Sequence, residues 1–143
     1  MRVMFFGSKI IVQKLAASLR GREIEWVSPA EVPELIASLQ HESFDLAIVD
    51  SQIEKARLAC QHINESCTIP LVLMVRERPV NWEMLDSFDV DGYLPDWVRE
   101  EELAARLQAV VRRQASAKQF GETNNLSLTF APQSRVKAKR LNN

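Results

Sequence analysis

Asp50 is the residue of this sequence best placed to do chemistry. It closes the apolar run FDLAIVD, so its carboxylate stands at the end of an expected strand. A carboxylate there can take part in binding or proton chemistry, provided that suitable partners surround it. The turn after Phe6, expected to face it, reads Gly7, Ser8, Lys9 and contains no acid. With no second acid, His or Cys beside it in that turn, Asp50 lacks a ligand set, so no metal is expected here. Gly7 stands alone, and neither GxGxxG nor GxxxxGK[ST] occurs to cradle phosphates, so no nucleotide cofactor is expected. Cys60 and Cys67 lack CxxC spacing, and His41 and His62 stand apart on expected helices. Two reduced, part-buried thiols and two exposed histidines are the expectation, with no zinc site.

The elements that must position Asp50 follow from the alternation of period two and period 3.6 along the chain. RVMFF is a short continuous apolar run, as for a strand covered on both faces. Ile11, Val12, Leu15, Ala16 and Leu19 recur at helical spacing. EIEWV predicts a second strand. Ser28 followed by Pro29 and Glu31 predicts a capped helix start, with Val32, Leu35, Ile36 and Leu39 as its buried stripe. FDLAIVD is the third strand, followed by a helix with Ala56, Ala59, Cys60 and Ile63 on one face. IPLVLMV is the fourth strand. Pro79 is expected to open a helix carrying Val80, Met84, Leu85 and Phe88. GYL is a short fifth strand, and Leu103, Leu107, Val110 and Val111 line a last helix expected to end near Arg112–Arg113. Five strand–helix units with short connections predict a three-layer α/β fold: a doubly wound parallel sheet of order 2-1-3-4-5 between two helical layers. Its functional crevice would lie beyond the C-terminal ends of strands one and three, at the loops after Phe6 and Val49.

FDLAIVD, IPLVLMV and VDGYLPDWVREEELAARLQAVVRR together resemble the receiver domain of bacterial two-component response regulators, over roughly residues 1 to 113. The spacing from Val75 to Asp91–Gly92, and from DGYLP to the final helix, fits that family without a gap. The resemblance implies a CheY-like fold and places Asp50 at the phosphoacceptor position. It also implies magnesium-binding acids where this chain has Gly7 and Ser8, followed by Lys9. It implies a Ser or Thr where Val75 stands, and a Lys before Pro where Asp96 precedes Trp97. Tyr93 falls on the family's aromatic switch position. The loop after Asp50 is shorter than the family's and lacks its Pro-Gly-Met-Asp-Gly turn. Because phosphoryl transfer depends on positioning and charge neutralisation, these changes leave Asp50 as a vestigial acceptor and the chain as no enzyme.

Lys9 could pair with Asp50, Asp96 or both, closing the site without metal or phosphate, or it could project into water. Trp82 and Trp97 mark a candidate contact surface on the helix-four to helix-five face, which the resemblance implies for a protein partner or a homodimer. The alternative is that one or both indoles fold back on the core.

Composition narrows the classes further. The 143 residues carry 18 Lys and Arg against 19 Asp and Glu, so no whole-molecule field points to nucleic acid or membrane. No apolar run approaches a membrane span, and no signal-peptide layout opens the chain; a cytoplasmic protein is expected. Residues 114–143 read as a polar linker followed by LSLTF and the basic RVKAKR. These resemble the opening of a winged-helix effector domain of OmpR type or form a disordered tail; DNA is a partner only if such a domain follows. Two main readings compete: a pseudo-receiver that regulates transcription or a partner protein through contacts, and a live receiver phosphorylated on Asp50 by an unorthodox route. A small-ligand module using Gly7, Ser8 and Asp50 is a third.

Overall fold

A computed structural model describes the backbone of residues 1–120 and the side chains of residues 1–113. Five strands and five helices alternate along it. They are β1 Arg2–Phe6, α1 Lys9–Ser18, β2 Glu25–Val27, α2 Val32–His41 and β3 Leu46–Asp50. Then come α3 Ala56–Ser66, β4 Leu71–Val75, α4 Trp82–Leu85, β5 Gly92–Pro95 and α5 Glu100–Phe120. All neighbouring strands are parallel and the order is β2-β1-β3-β4-β5, as the alternating elements require.

Strand alternation divides the core into two layers. Met4, Phe6, Ala47, Val49, Leu71, Leu73 and Val75 pack with Leu35, Ala59 and Ile63 from α2 and α3. Their sequence neighbours Val3, Phe5, Leu46, Ile48, Val72 and Met74 face the other way, onto Ile11 and Leu15 of α1 and Leu103 and Leu107 of α5. Both faces of the three central strands are therefore buried, which explains their unbroken apolar sequences.

Three element ends differ from expectation. Helix α2 starts at Val32 and not at Ser28, because Glu34 Oε1 reaches back to accept from the N–H groups of Ala30 and Glu31, at 3.0 and 3.1 Å. That places the reciprocal cap three residues later and leaves Pro29 buried in the approach to the helix. Helix α4 is a single turn opening at Trp82, because Asn81 supplies the cap through Oδ1, which accepts from Met84 N at 3.1 Å. Pro79 lies in the preceding connection, and Phe88 is buried beyond the helix. Helix α5 runs on to Phe120, past Arg112–Arg113. Residues 114–120 are mostly Ala, Gln and Lys, which favour helix, and the first glycine or proline after Arg113 is Gly121. The expectations for LSLTF and RVKAKR lie outside the described residues.

Cys60 is buried on α3 and Cys67 is half-buried at its end, where its Sγ donates to Ile63 O at 3.4 Å; neither is in a disulfide. Burial, reinforced by Asp89 and opposed by Arg57, pushes the Cys60 thiol up to about 12, so it packs as a neutral apolar group. His41 is exposed and His62 half-buried. Among the described residues no group of His, Cys, Asp and Glu is arranged to hold a metal, and no helix is long and apolar enough to cross a membrane.

Candidate functional site

Asp50 ends β3 in register with Met74 of β4. Two residues beyond Met74, the alternation of side chains returns Arg76 to the same face of the sheet. Asp50 is fully buried, and Arg76 Nε donates to its Oδ1 at 2.9 Å. Gln52 N donates to the same oxygen at 3.0 Å. Oδ2 is buried and has no hydrogen-bond partner among the described residues, and neither does Ser51 Oγ beside it. The charge at the end of β3 is thus neutralised from within the chain by a guanidinium.

The strand-one side of the site is closed by backbone. A Cβ built on Gly7 would lie 3.0 and 3.1 Å from two ring carbons of Phe5, and closer still to Asp50 Cβ. Gly7 has no positive φ, so what it supplies is proximity: its backbone rests on Asp50 with no room for a side chain. Ser8 is committed as the cap of α1, its Oγ accepting from Ile10 N at 3.2 Å. The residues present do not fit a magnesium ion: the first position after β1 excludes a side chain, the second is a helix cap, and a guanidinium sits on Asp50.

The cation on Asp50 is Arg76 and not Lys9. Lys9 is the exposed first residue of α1 and makes no ion pair among the described residues; Asp96, also exposed, makes none either. The physical reason is reach. Arg76 follows the strand adjacent to β3 and shares its face, whereas Lys9 is carried outward by the first turn of α1. The sequence alone does not single out Arg76 as a site residue. Its signal is a charged residue directly after the most apolar strand, but only the β3–β4 register assigns it to Asp50.

Val75 is buried in β4 and turned to the α2–α3 layer. Asp96 N donates to Val75 O at 3.0 Å, so the β5–α5 turn is held against the end of β4 by backbone. A cavity of about 440 Å³ opens among the turns after β1, β2 and β3, lined by Gly7, Ser8, Val32, Ile53 and Lys55 among others. Gly7 and Ser8 line this cavity and Asp50 does not.

The two candidate contact tryptophans lie on the surface. Trp82 is 57% exposed and Trp97 37%, so neither indole folds wholly into the core. Trp82 stands edge-on to Tyr93, with ring centroids 5.5 Å apart, and the Tyr93 hydroxyl donates to Leu85 O at 3.3 Å. The Arg78 guanidinium lies 4.9 Å from the centre of the Trp97 ring.

No protein-family model matches the chain, and no curated protein matches it in sequence. Solved structures do. A two-component response regulator from Clostridium difficile superposes with a TM-score of 0.67 at 23% identity, over 80% of this chain and 98% of that one. The signal receiver domain of an HD domain-containing protein from Pseudomonas fluorescens Pf-5 gives 0.70 at 14% identity, over 82% and 91%. The N-terminal domain of a response regulator/sensory box/GGDEF 3-domain protein from Carboxydothermus hydrogenoformans gives 0.70 at 15% identity, over 81% and 98%. At these identities the likeness establishes the fold, which is that of response-regulator receiver domains.

Proposed function

We propose that this chain is a receiver-like signalling module that takes no phosphoryl group on Asp50 and acts through protein contacts, without catalysis of its own. The observation that carries the reading is the buried Asp50–Arg76 ion pair with the Gly7 backbone packed over it. A carboxylate that is buried, hydrogen-bonded to an internal cation and out of reach of any metal is a poor nucleophile, because attack would have to break the pair and uncover the strand end. The same pair holds the crevice in one arrangement. A fixed arrangement still signals if a partner prefers it, since affinity depends on which conformation is populated. Regulation of transcription is one output open to such a module.

The test is incubation of the full chain with acetyl phosphate and Mg²⁺, followed by intact mass. The expected result is an unmodified chain; an added phosphoryl group that disappears in Asp50→Asn would establish the phosphorylated alternative.

Contact through the α4–β5–α5 face is the mode of action we favour, because Trp82 and Trp97 present exposed indoles there. Self-association is the simplest case, since a two-fold dimer requires only one self-complementary patch. Trp82→Ala or Trp97→Ala is expected to weaken dimerisation or partner binding by about 1–3 kcal/mol, read by sedimentation. Silent tryptophans together with a strong effect of Asp50→Asn would locate control in the crevice instead.

A further inference from the structure

Arg76 uses only one edge of its guanidinium on Asp50. Nε makes the contact, and neither Nη atom bonds to any described residue. Neither Nη atom is buried, and the side chain is 29% exposed, so this edge opens to solvent. Two residues on, Arg78 is oriented by its face, lying over the Trp97 ring, and donates no hydrogen bond among the described residues. Two guanidiniums are therefore held in place by contacts that leave their Nη donors unfilled, and both rise from the turn after β4.

We infer that this turn is a non-covalent receptor for a phosphate dianion, free or as a monoester, bound by the Nη donors of Arg76 and Arg78. Residues two apart span at most about 7 Å of chain, and each arginine arm is of comparable length, so both can converge on one phosphate. A planar fork matches two phosphate oxygens, and fixing its plane beforehand removes much of the ordering cost of binding. Asp50 offsets the charge of Arg76, so selectivity for phosphate rests on the match of its several oxygens to the unfilled Nη donors and on the charge of Arg78. Glu77 lies between the arginines in sequence, but its Oε1 is buried and turned away from solvent. Asp96 is exposed and precedes Trp97, on whose ring Arg78 lies, so its charge opposes an anion bound there.

The inference rests on the reading that Asp50 is not itself phosphorylated, and its test is separate from the acetyl phosphate experiment. The full chain, without metal, is titrated with inorganic phosphate and with phenyl phosphate while the arginine Nε–Hε resonances are followed by NMR. Saturable shifts of the Arg76 and Arg78 signals are expected. Arg78→Ala, at an exposed position outside the core, should weaken binding about tenfold, the loss of one charge-assisted contact. Asp96→Asn should strengthen it. Tighter binding of phenyl phosphate than of inorganic phosphate would identify a monoester, and equal binding the free ion. Absence of saturation, shifts that ignore Arg78→Ala, or equal binding of glutarate would overturn the assignment. A chain that stays unmodified by acetyl phosphate yet fails to bind phosphate would remove this inference alone.

Discussion

Arg76→Ala is expected to destabilise the fold by about 3 kcal/mol, read from the denaturation midpoint, because it leaves a fully buried Asp50 carboxylate without its cation. One backbone N–H, from Gln52, would be all that remained on Oδ1, and Oδ2 has no partner to begin with. The lower end of the usual range for breaking a buried pair applies, since the Arg76 side chain is 29% exposed and water can enter when it is removed. The double variant Asp50→Asn with Arg76→Ala should be less destabilised than the sum of the two single changes, because removing both charges leaves nothing stranded. A single Arg76→Ala variant within about 0.5 kcal/mol of the parent, the scale of an ordinary surface substitution, would show that the pair is not closing the site.

Gly7→Ala should cost about 2 kcal/mol for a different reason. The new methyl group would be driven into Asp50 Cβ and the Phe5 ring, both fully buried, and overpacking of this kind displaces neighbours that have no free space. Gly7→Asp should cost at least as much and add a like charge beside Asp50. A magnesium-binding acid therefore cannot be installed after β1 by changing that one residue. Gly92→Ala is the control. Nothing lies within 4 Å of a Cβ at Gly92, so this change should be neutral or stabilise by about 0.5 kcal/mol. Equal costs at the two glycines, measured in the same denaturant series, would mean that the close approach of Gly7 to Asp50 plays no part in stability.

The fold was legible because it is written in local periods. Continuous apolar strands such as LVLMV require cover on both faces, and helices such as α3, with Ala56, Ala59, Cys60 and Ile63 all buried, announce their inner stripe at 3.6-residue spacing. Strand order then followed from the few topologies that short right-handed crossovers permit. Helix ends were less legible. Two capping signals overlap before α2, Ser28 with Glu31 and Glu31 with Glu34, and the second is the one formed, so residue types alone left the start open by three positions.

The candidate site divides along the same line. That Gly7 and Ser8 are not acids, that Val75 has no hydroxyl and that Asp96 is not a lysine are statements about residue types, and the sequence alone determines them. What took their place is decided only in three dimensions. Asp50 and Arg76 are 26 residues apart and belong to different strand–helix units. Nothing local to either residue marks them as partners, and of the two readings open for Lys9, pairing with the site or projecting into water, the structure shows an exposed side chain. The parallel register that sets Asp50 opposite Met74 brings Arg76 onto the carboxylate, because side chains two apart on a strand share a face. The approach of the Gly7 backbone to Asp50 has the same origin, in the pairing of Phe6 with Val49. Periodicity reports which way each segment turns its apolar side; only the hydrogen-bonded register between segments fixes which charged side chains meet.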